Sequence, residues 1–329
     1  MQERVYDFCD DREIVNLANA SKKAFPLENI MPKDRGYALC KVLFRTQWNA
    51  QKLPERWKRV FLKNQQFISR LTWDGYCSNL TLLNVAHFFK NLKHLQLTRA
   101  EVILDPGMKS IAALQLQSLS ISSQEVARQL NPPMNEMFKH LSTGKIWISL
   151  RALNLRRCEH LRDSSMPHIG KLMLRSLDLS CALIGDAGMK YLASGTIKGT
   201  LRVLSLKETG ITDESVRLIQ NLALESLDLS ETLVSDKALK YLAEGTAHKT
   251  LQSLDVSNTK VTNQGLLFLR FFQNLSFLNV SSNQVKRQFH GLLEKHAISL
   301  LKNTFTMRRE SLPTLLSAFE GLSLAEAVV

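Results

Sequence analysis

The chain has 329 residues, 44% of them hydrophobic, with 43 Lys and Arg against 30 Asp and Glu, a net charge of +13. This composition is too apolar for a disordered chain, and no run of about 18 apolar residues exists to span a bilayer. The charge is spread as +5 over residues 1–67, +6 over 68–285 and +2 over 286–329, a pattern of solubility more than of a nucleic-acid footprint. The N-terminus carries acids early and has no apolar h-region, so no secretory signal is expected. Cys9, Cys40, Cys77, Cys158 and Cys181 are odd in number and lack C-x-x-C spacing. They read as reduced thiols, and the cytoplasm or nucleus is the expected location.

Residues 1–67 carry no repeat. Ile14/Val15/Leu17/Ala18, Leu39/Val42/Leu43 and Trp57/Val60/Phe61 follow helical spacing, with Pro26, Pro32 and Pro54 between them. Such helices would cap the open edge of the sheet that follows. Within them, Leu53-Pro54-Glu55-Arg56-Trp57-Lys58-Arg59-Val60-Phe61 has the form Φ-P-x-x-Φ-x-x-x-Φ. Pro54 starts a helix there, and Trp57 and Phe61 share one face at i and i+4.

A pattern L-x-x-L-x-L then recurs eight times, from Leu92/Leu95/Leu97 to Leu275/Leu278/Val280, with a weaker first copy at Ile68/Leu71/Trp73. The steps between copies are 24, 24, 34, 24, 27, 23, 27 and 24 residues. An aliphatic residue follows five positions later at Ile184, Ile211, Val234, Val261 and Val285. Next come helix-start signals, Gly185-Asp186, Thr212-Asp213, Ser235-Asp236 and Thr262-Asn263, expected to cap the helices behind them. Met189/Leu192/Ala193 and Leu239/Leu242/Ala243 continue at helical spacing. Residues 174–200 and 224–250 agree at 15 of 27 positions. The 34-residue step, around Asn131-Pro132-Pro133, reads as a lengthened outer segment within one domain.

These spacings resemble the leucine-rich repeat of the ribonuclease-inhibitor-like or cysteine-containing type. The resemblance implies an α/β solenoid over 68–285, with parallel concave strands, convex helices, a helical cap at 1–67 and capping helices at 286–329. It also implies a polar ladder position, held by Thr209, Thr232, Thr259 and Asn283 late in the array and by Ala100, Gln124, Cys158 and Ala182 earlier. Thr and Asn are expected to bond the neighbouring repeat there, and the N-terminal half to be the less regular one.

Strand positions between the leucines face the concave side. Lys93, His94, Gln96, Arg99, Arg151, Asn154, Arg156, Arg157, Arg175 and Arg202 give way along the chain to Asp178, Glu208, Glu225, Asp228, Glu231 and Asp255. That face is expected to grade from basic to acidic and to hold a protein with complementary charge blocks. Phe277 is an aromatic residue at an outward strand position and a candidate anchor. A basic stripe of Arg151, Arg156, Arg157, Arg175 and Arg202 also allows a nucleic-acid reading. The lack of aromatic residues for base stacking there argues against it.

The segment 53–61 resembles the cullin-contacting box of elongin B/C-dependent ubiquitin-ligase receptors, as in the Zyg-11 family. This implies elongin B/C and a cullin as partners, with Leu53, Pro54, Trp57 and Phe61 as the contact residues. The family's preceding elongin box is matched by Gly36 to Phe44 with Gly in place of its first Leu, or by Leu17/Ser21/Phe25 far upstream. Gly265 to Leu269, Leu275 to Val280 and Leu292/Leu293 are similar to the C-terminal repeats of the leucine-rich-repeat-containing protein 42 family, which would imply a scaffold with no ligase link. Leu312, Leu315, Leu316, Phe319 and Leu322 form a C-terminal apolar stripe.

No catalytic constellation is found. Phosphate-loop glycine patterns are absent, the eight histidines are scattered, and no H-E-x-x-H or Cys/His ligand set occurs. The expectation is a non-enzymatic recognition module without cofactor or metal.

Overall fold

The computed structural model describes residues 69–77, 79–99, 105–122, 134–158 and 161–283. The helical readings of 1–67 and the stripe after residue 286 lie outside the described residues, and so do Leu53, Pro54, Trp57 and Phe61.

An L-x-x-L-x-L segment buries alternate side chains on one face only, so it needs both a neighbouring strand and a covering helix. The chain supplies these by repetition. The strands are β1 (Arg70–Tyr76), β2 (His94–Arg99), β3 (Ser118–Ile121), β4 (Ala152–Asn154), β5 (Ser176–Asp178), β6 (Val203–Ser205), β7 (Ser226–Asp228), β8 (Ser253–Asp255) and β9 (Phe277–Asn279). They form one parallel sheet in sequence order. The middle leucine of each segment pairs in register with the next, so Leu71, Leu95, Leu119, Leu153, Leu177, Leu204, Leu227, Leu254 and Leu278 make one continuous column. All are buried, and only Leu278, on the last described strand, reaches 8% exposure.

Parallel neighbours require a crossover, and a helical segment provides each one. The α-helices are α1 (Asn79–Phe88), α2 (Asp105–Ala112), α3 (Met134–Thr143), α4 (Ile146–Ser149), α5 (Met166–Ile169), α6 (Asp186–Ser194), α7 (Asp213–Ile219), α8 (Asp236–Glu244) and α9 (Asn263–Leu266). Their apolar faces, such as Met189/Leu192 and Leu239/Leu242, close the core together with Ile184, Ile211, Val234 and Val261. The long step holds α3 and α4, and β3 still pairs directly with β4. The sheet therefore runs on unbroken from β3 to β4.

The cap expectation holds at Thr212, Ser235 and Thr262 and fails at Gly185-Asp186, whose helix has no side-chain cap; the ladder expectation holds at Asn283 and fails at the threonines. Thr212, Ser235 and Thr262 cap their own helices through Glu214, Lys237 and Gln264 N–H. Asp186, Asp213 and Asp236 instead accept from the next repeat, at Thr212, Ser235 and Thr262. The ladder threonines turn inward: Thr209, Thr232 and Thr259 donate to Leu206, Leu229 and Val256 of their own repeats. The bonds to the preceding repeat's backbone come from Asn283, to the Val256 carbonyl at 2.7 Å, and from Cys158, to the Ile121 carbonyl at 3.3 Å.

After each later strand the backbone enters the left-handed region at Arg157, Cys181, Glu208, Glu231, Asn258 and Ser282, with φ from 53 to 63°. Each such non-glycine residue costs about 1–2 kcal/mol. The cost is offset by a continued ladder, in which Arg157, Cys181, Glu208 and Glu231 N–H donate to the next repeat's carbonyls at 2.8–3.0 Å.

Candidate functional site

Helices cover one side of the sheet, and the strand side chains opposite the leucine column make the other. Two columns project there. The first runs Ser118, Ala152, Ser176, Val203, Ser226 and Ser253 across β3 to β8, a shallow floor of small side chains that ends at half-buried Phe277. The second holds Asn154, Asp178, Ser205, Asp228, Asp255 and Asn279 from β4 onward.

The acids of the second column close turns. Asp178 accepts from the Ser180 N–H at 2.9 Å and hydroxyl at 2.5 Å. Asp228 does the same with Ser230 at 2.9 and 2.7 Å, and Asp255 with Ser257 at 2.9 and 2.6 Å. The repeated Asp-x-Ser spacing is an Asx turn. Neutral amides serve equally at two positions, where Asn154 accepts from Arg156 N–H and Asn279 from Ser281 N–H. The turn therefore needs the oxygen and not the charge. What the charge adds is a line of carboxylates on an otherwise uncharged floor.

Ten of the eleven candidate partner-binding residues fall into three bands. Asp178, Asp228 and Asp255 stand on the floor. Arg151, Arg175 and Arg202 precede their strands and form one rim. Arg151 donates to the Ile148 and Leu150 carbonyls at 2.8 and 2.9 Å, and Arg202 to the Leu201 carbonyl at 2.8 Å. Arg156, Arg157, Glu208 and Glu231 lie on the turns after the strands, the opposite rim. Arg99 is the last residue of β2. Charge thus separates across the face as well as along it: over β4 and β5 the Asp178 carboxylate lies between Arg151 and Arg175 on one rim and Arg156 and Arg157 on the other. Further on, the rims neutralise themselves, with Arg202 at 3.8 Å from Glu225 and Lys207 at 2.7 Å from Glu231.

Cys77, Cys158 and Cys181 are each held away from the thiolate form. Burial pushes Cys77 up to about 12, and burial together with Asp178 does the same to Cys158. Cys181 is raised by burial and by its hydrogen bond to Glu208, at 3.1 Å. Among the described residues no three His, Cys, Asp or Glu side chains are grouped to hold a metal ion, and no helix is long and apolar enough to cross a membrane.

Sequence reasoning missed the exposed apolar residues. Trp147 and Ile148 are 36% and 61% exposed, and Leu183 and Leu233 are half-exposed at matching positions of the duplicated units. The signal for the first pair was present: Trp147-Ile148 stand where sister repeats carry Lys198-Gly199 and His248-Lys249.

The register, the leucine column and the helical crossovers define an α/β leucine-rich-repeat solenoid, with its strands on the concave side. A family model described as Leucine Rich repeat matches residues 171–193 and 247–269. Similar solved structures include an internalin, InlF, of Listeria monocytogenes, at 18% identity over 68% of this chain and 58% of that one, with a TM-score of 0.44. The Rad7 and Elc1 complex of yeast is similar at 16% identity over 86% of this chain and 94% of that one, TM-score 0.42. The plant peptide hormone receptor RGFR1, in complex with RGF2, is similar at 20% identity over 66% and 35%, TM-score 0.38. The chain thus spans little more than half the length of InlF. These likenesses concern the fold. No curated protein matches the chain significantly.

Proposed function

We propose that this chain is a non-enzymatic recognition module whose concave face holds a segment of another protein. The observation that carries this reading is the floor itself. Small side chains from Ser118 to Ser253 leave room for a partner's side chains, and the Asp178, Asp228 and Asp255 carboxylates offer fixed acceptors along the floor. Exposed rim charges contribute about 0–1 kcal/mol each, so a buried anchor is also required, and half-buried Phe277 supports one. Free Cys77, Cys158 and Cys181 support a reducing compartment, cytoplasm or nucleus.

The test is affinity purification of the intact chain beside an Asp178→Asn/Asp228→Asn variant, which keeps the turn oxygens and removes two charges. Loss of the retained proteins from a folded variant is the expected result. An unchanged set of retained proteins contradicts the reading.

A finer reading makes the module a substrate receptor of a cullin-RING ubiquitin ligase. Its support is the Leu53/Pro54/Trp57/Phe61 motif, whose residues would make the ligase contact. Trp57→Asp/Phe61→Asp should abolish co-purification of elongin B/C. Co-purification that survives the double change leaves the alternative, an intracellular scaffold with no ligase link.

A further inference from the structure

Thr200 and Thr250 close the seams between their repeats and the preceding ones. Thr200 donates to the Leu174 carbonyl at 2.8 Å and Thr250 to the Leu224 carbonyl at 2.7 Å. Ser149 holds the same position ahead of Leu150, but its hydroxyl donates inside its own helix, to Ile146 at 3.2 Å. A cleft of about 570 Å³ lies at this seam, between β3 and β4 and reaching β2. Its lining includes Lys93, His94, Gln117, Ser118, Ser149 and Arg151.

The lining has charge of one sign. Burial, and after it Arg70, holds His94 below its ordinary value of 6.5, which favours the neutral imidazole. Lys93 and Arg151 therefore carry the charge. Among the described residues no ion pair joins either of them to a carboxylate. The two carbonyl bonds from Arg151 Nη1 fix the guanidinium and leave Nε and Nη2 without a protein partner among the described residues. Directly before Ser149 stand Trp147 and Ile148, apolar and exposed where the sister repeats are polar or Gly. Trp147 and Ile148 lie outside the lining, but the Ile148 carbonyl accepts from Arg151, so the apolar pair adjoins the cleft; a fixed guanidinium and a lysine beside such a pair suit a carboxylate next to an apolar side chain. A nucleic-acid strand would leave Ile148 unused and would find one stacking ring only.

We propose that this cleft binds an acidic polypeptide segment, with a carboxylate on Lys93 and Arg151 and an apolar side chain on Trp147 and Ile148. The inference rests on the reading of the concave face as a protein-binding surface, and it places an acidic block of the partner over β2 to β4. Three fluorescein-labelled probes test it against the full chain by anisotropy at low salt: a peptide of alternating Glu and Leu, one of alternating Lys and Leu, and an oligothymidine strand. The Glu/Leu peptide should bind best, with a blue shift in emission that Trp147→Phe removes. Trp147→Lys/Ile148→Gly installs the residues of the sister repeat and so should fold; it should weaken binding about tenfold or more. Lys93→Gln should weaken it too, and Arg217→Gln, on the exposed side of α7, should not. Equal affinity in the Trp147/Ile148 variant overturns the proposal, as does tighter binding of the oligothymidine. If the Glu/Leu peptide fails while partner retention still depends on Asp178 and Asp228, the cleft assignment falls and the groove reading stands.

Discussion

Asp186 accepts two hydrogen bonds from Thr212, which lies 26 residues further along: one from its N–H at 2.9 Å and one from its hydroxyl at 2.7 Å. The Thr212 hydroxyl, having donated to Asp186, still accepts from Glu214 N–H at 3.2 Å. One side chain thus caps its own helix and ties it to the repeat before. Asp213 with Ser235 and Asp236 with Thr262 repeat the arrangement, so the outer edge of the solenoid is laced by carboxylates. The Ser215 hydroxyl, fully buried, also donates to Asp186. Asp186→Ala leaves it and the Thr212 N–H without their acceptor, and should lower stability by about 1–3 kcal/mol in urea denaturation.

The same residue sets a pH dependence. Burial alone would raise the Asp186 carboxyl, but the hydrogen bonds from Ser215 and Thr212 outweigh it and hold the group below its ordinary value of 3.8. A carboxyl with a depressed folded value contributes stability above the unfolded value and loses it as pH falls through the folded one. The gap in melting temperature between the protein and Asp186→Asn should therefore be full at neutral pH and shrink below about pH 4. A gap independent of pH down to about pH 2 would show that charge plays no part in this contact.

Gly195 ends α6 with φ of −77°, which any residue can adopt, so its reason is space. A Cβ there would lie 2.1 Å from the Gly170 carbonyl oxygen of the previous repeat, while one at Gly199 would meet nothing within 4 Å. Gly195→Ala should cost about 1–3 kcal/mol and Gly199→Ala much less, measured as denaturation midpoints of the two variants.

The floor acids divide by their second oxygens. Ser180 and Ser205 hydroxyls lie 2.8 Å apart, Ser180 donates to Asp178, and Ser205 donates to Asp228 at 3.2 Å. That leaves no proton for the bond between the two serines. In Asp228→Asn the new amide donates to Ser205, which frees its proton for Ser180. Asp178→Asn and Asp228→Asn should each change stability by no more than about 0.5 kcal/mol. Asp255→Asn should cost about 1 kcal/mol, because the Asn279 amide N–H, at 2.9 Å, loses its acceptor. Equal costs at Asp228 and Asp255 would contradict this division.

Much of the fold was legible because one residue type marks one register position: the middle leucines of L-x-x-L-x-L are the pairs that align from β1 to β9. The site was legible in part. Asp178, Asp228 and Asp255 were readable as floor positions from the period of two. Their Asx turns were hidden in plain Asp-x-Ser spacing, which the charge pattern overshadowed. Arg151 and Arg202 read as face residues, yet they bond carbonyls at helical ends that come into reach only once the crossover is folded. The left-handed turns at Arg157, Cys181, Glu208 and Glu231 left no mark, since none of these is Gly or Asn. The cleft beside Arg151 lies at the seam where Ser149 bonds within its own helix, and no residue pattern reports which carbonyl a hydroxyl takes.

The central claim is that the concave floor, and not the helical back, meets another protein. Photo-cross-linking compares the two directly, with a benzophenone amino acid placed at Ser226 on the floor or at Lys240, exposed on α8, in the intact chain expressed in cells. Adducts with another polypeptide should form from position 226 and be missing or weak from 240. Adducts from 240 alone, or equal yields from both, would contradict the account.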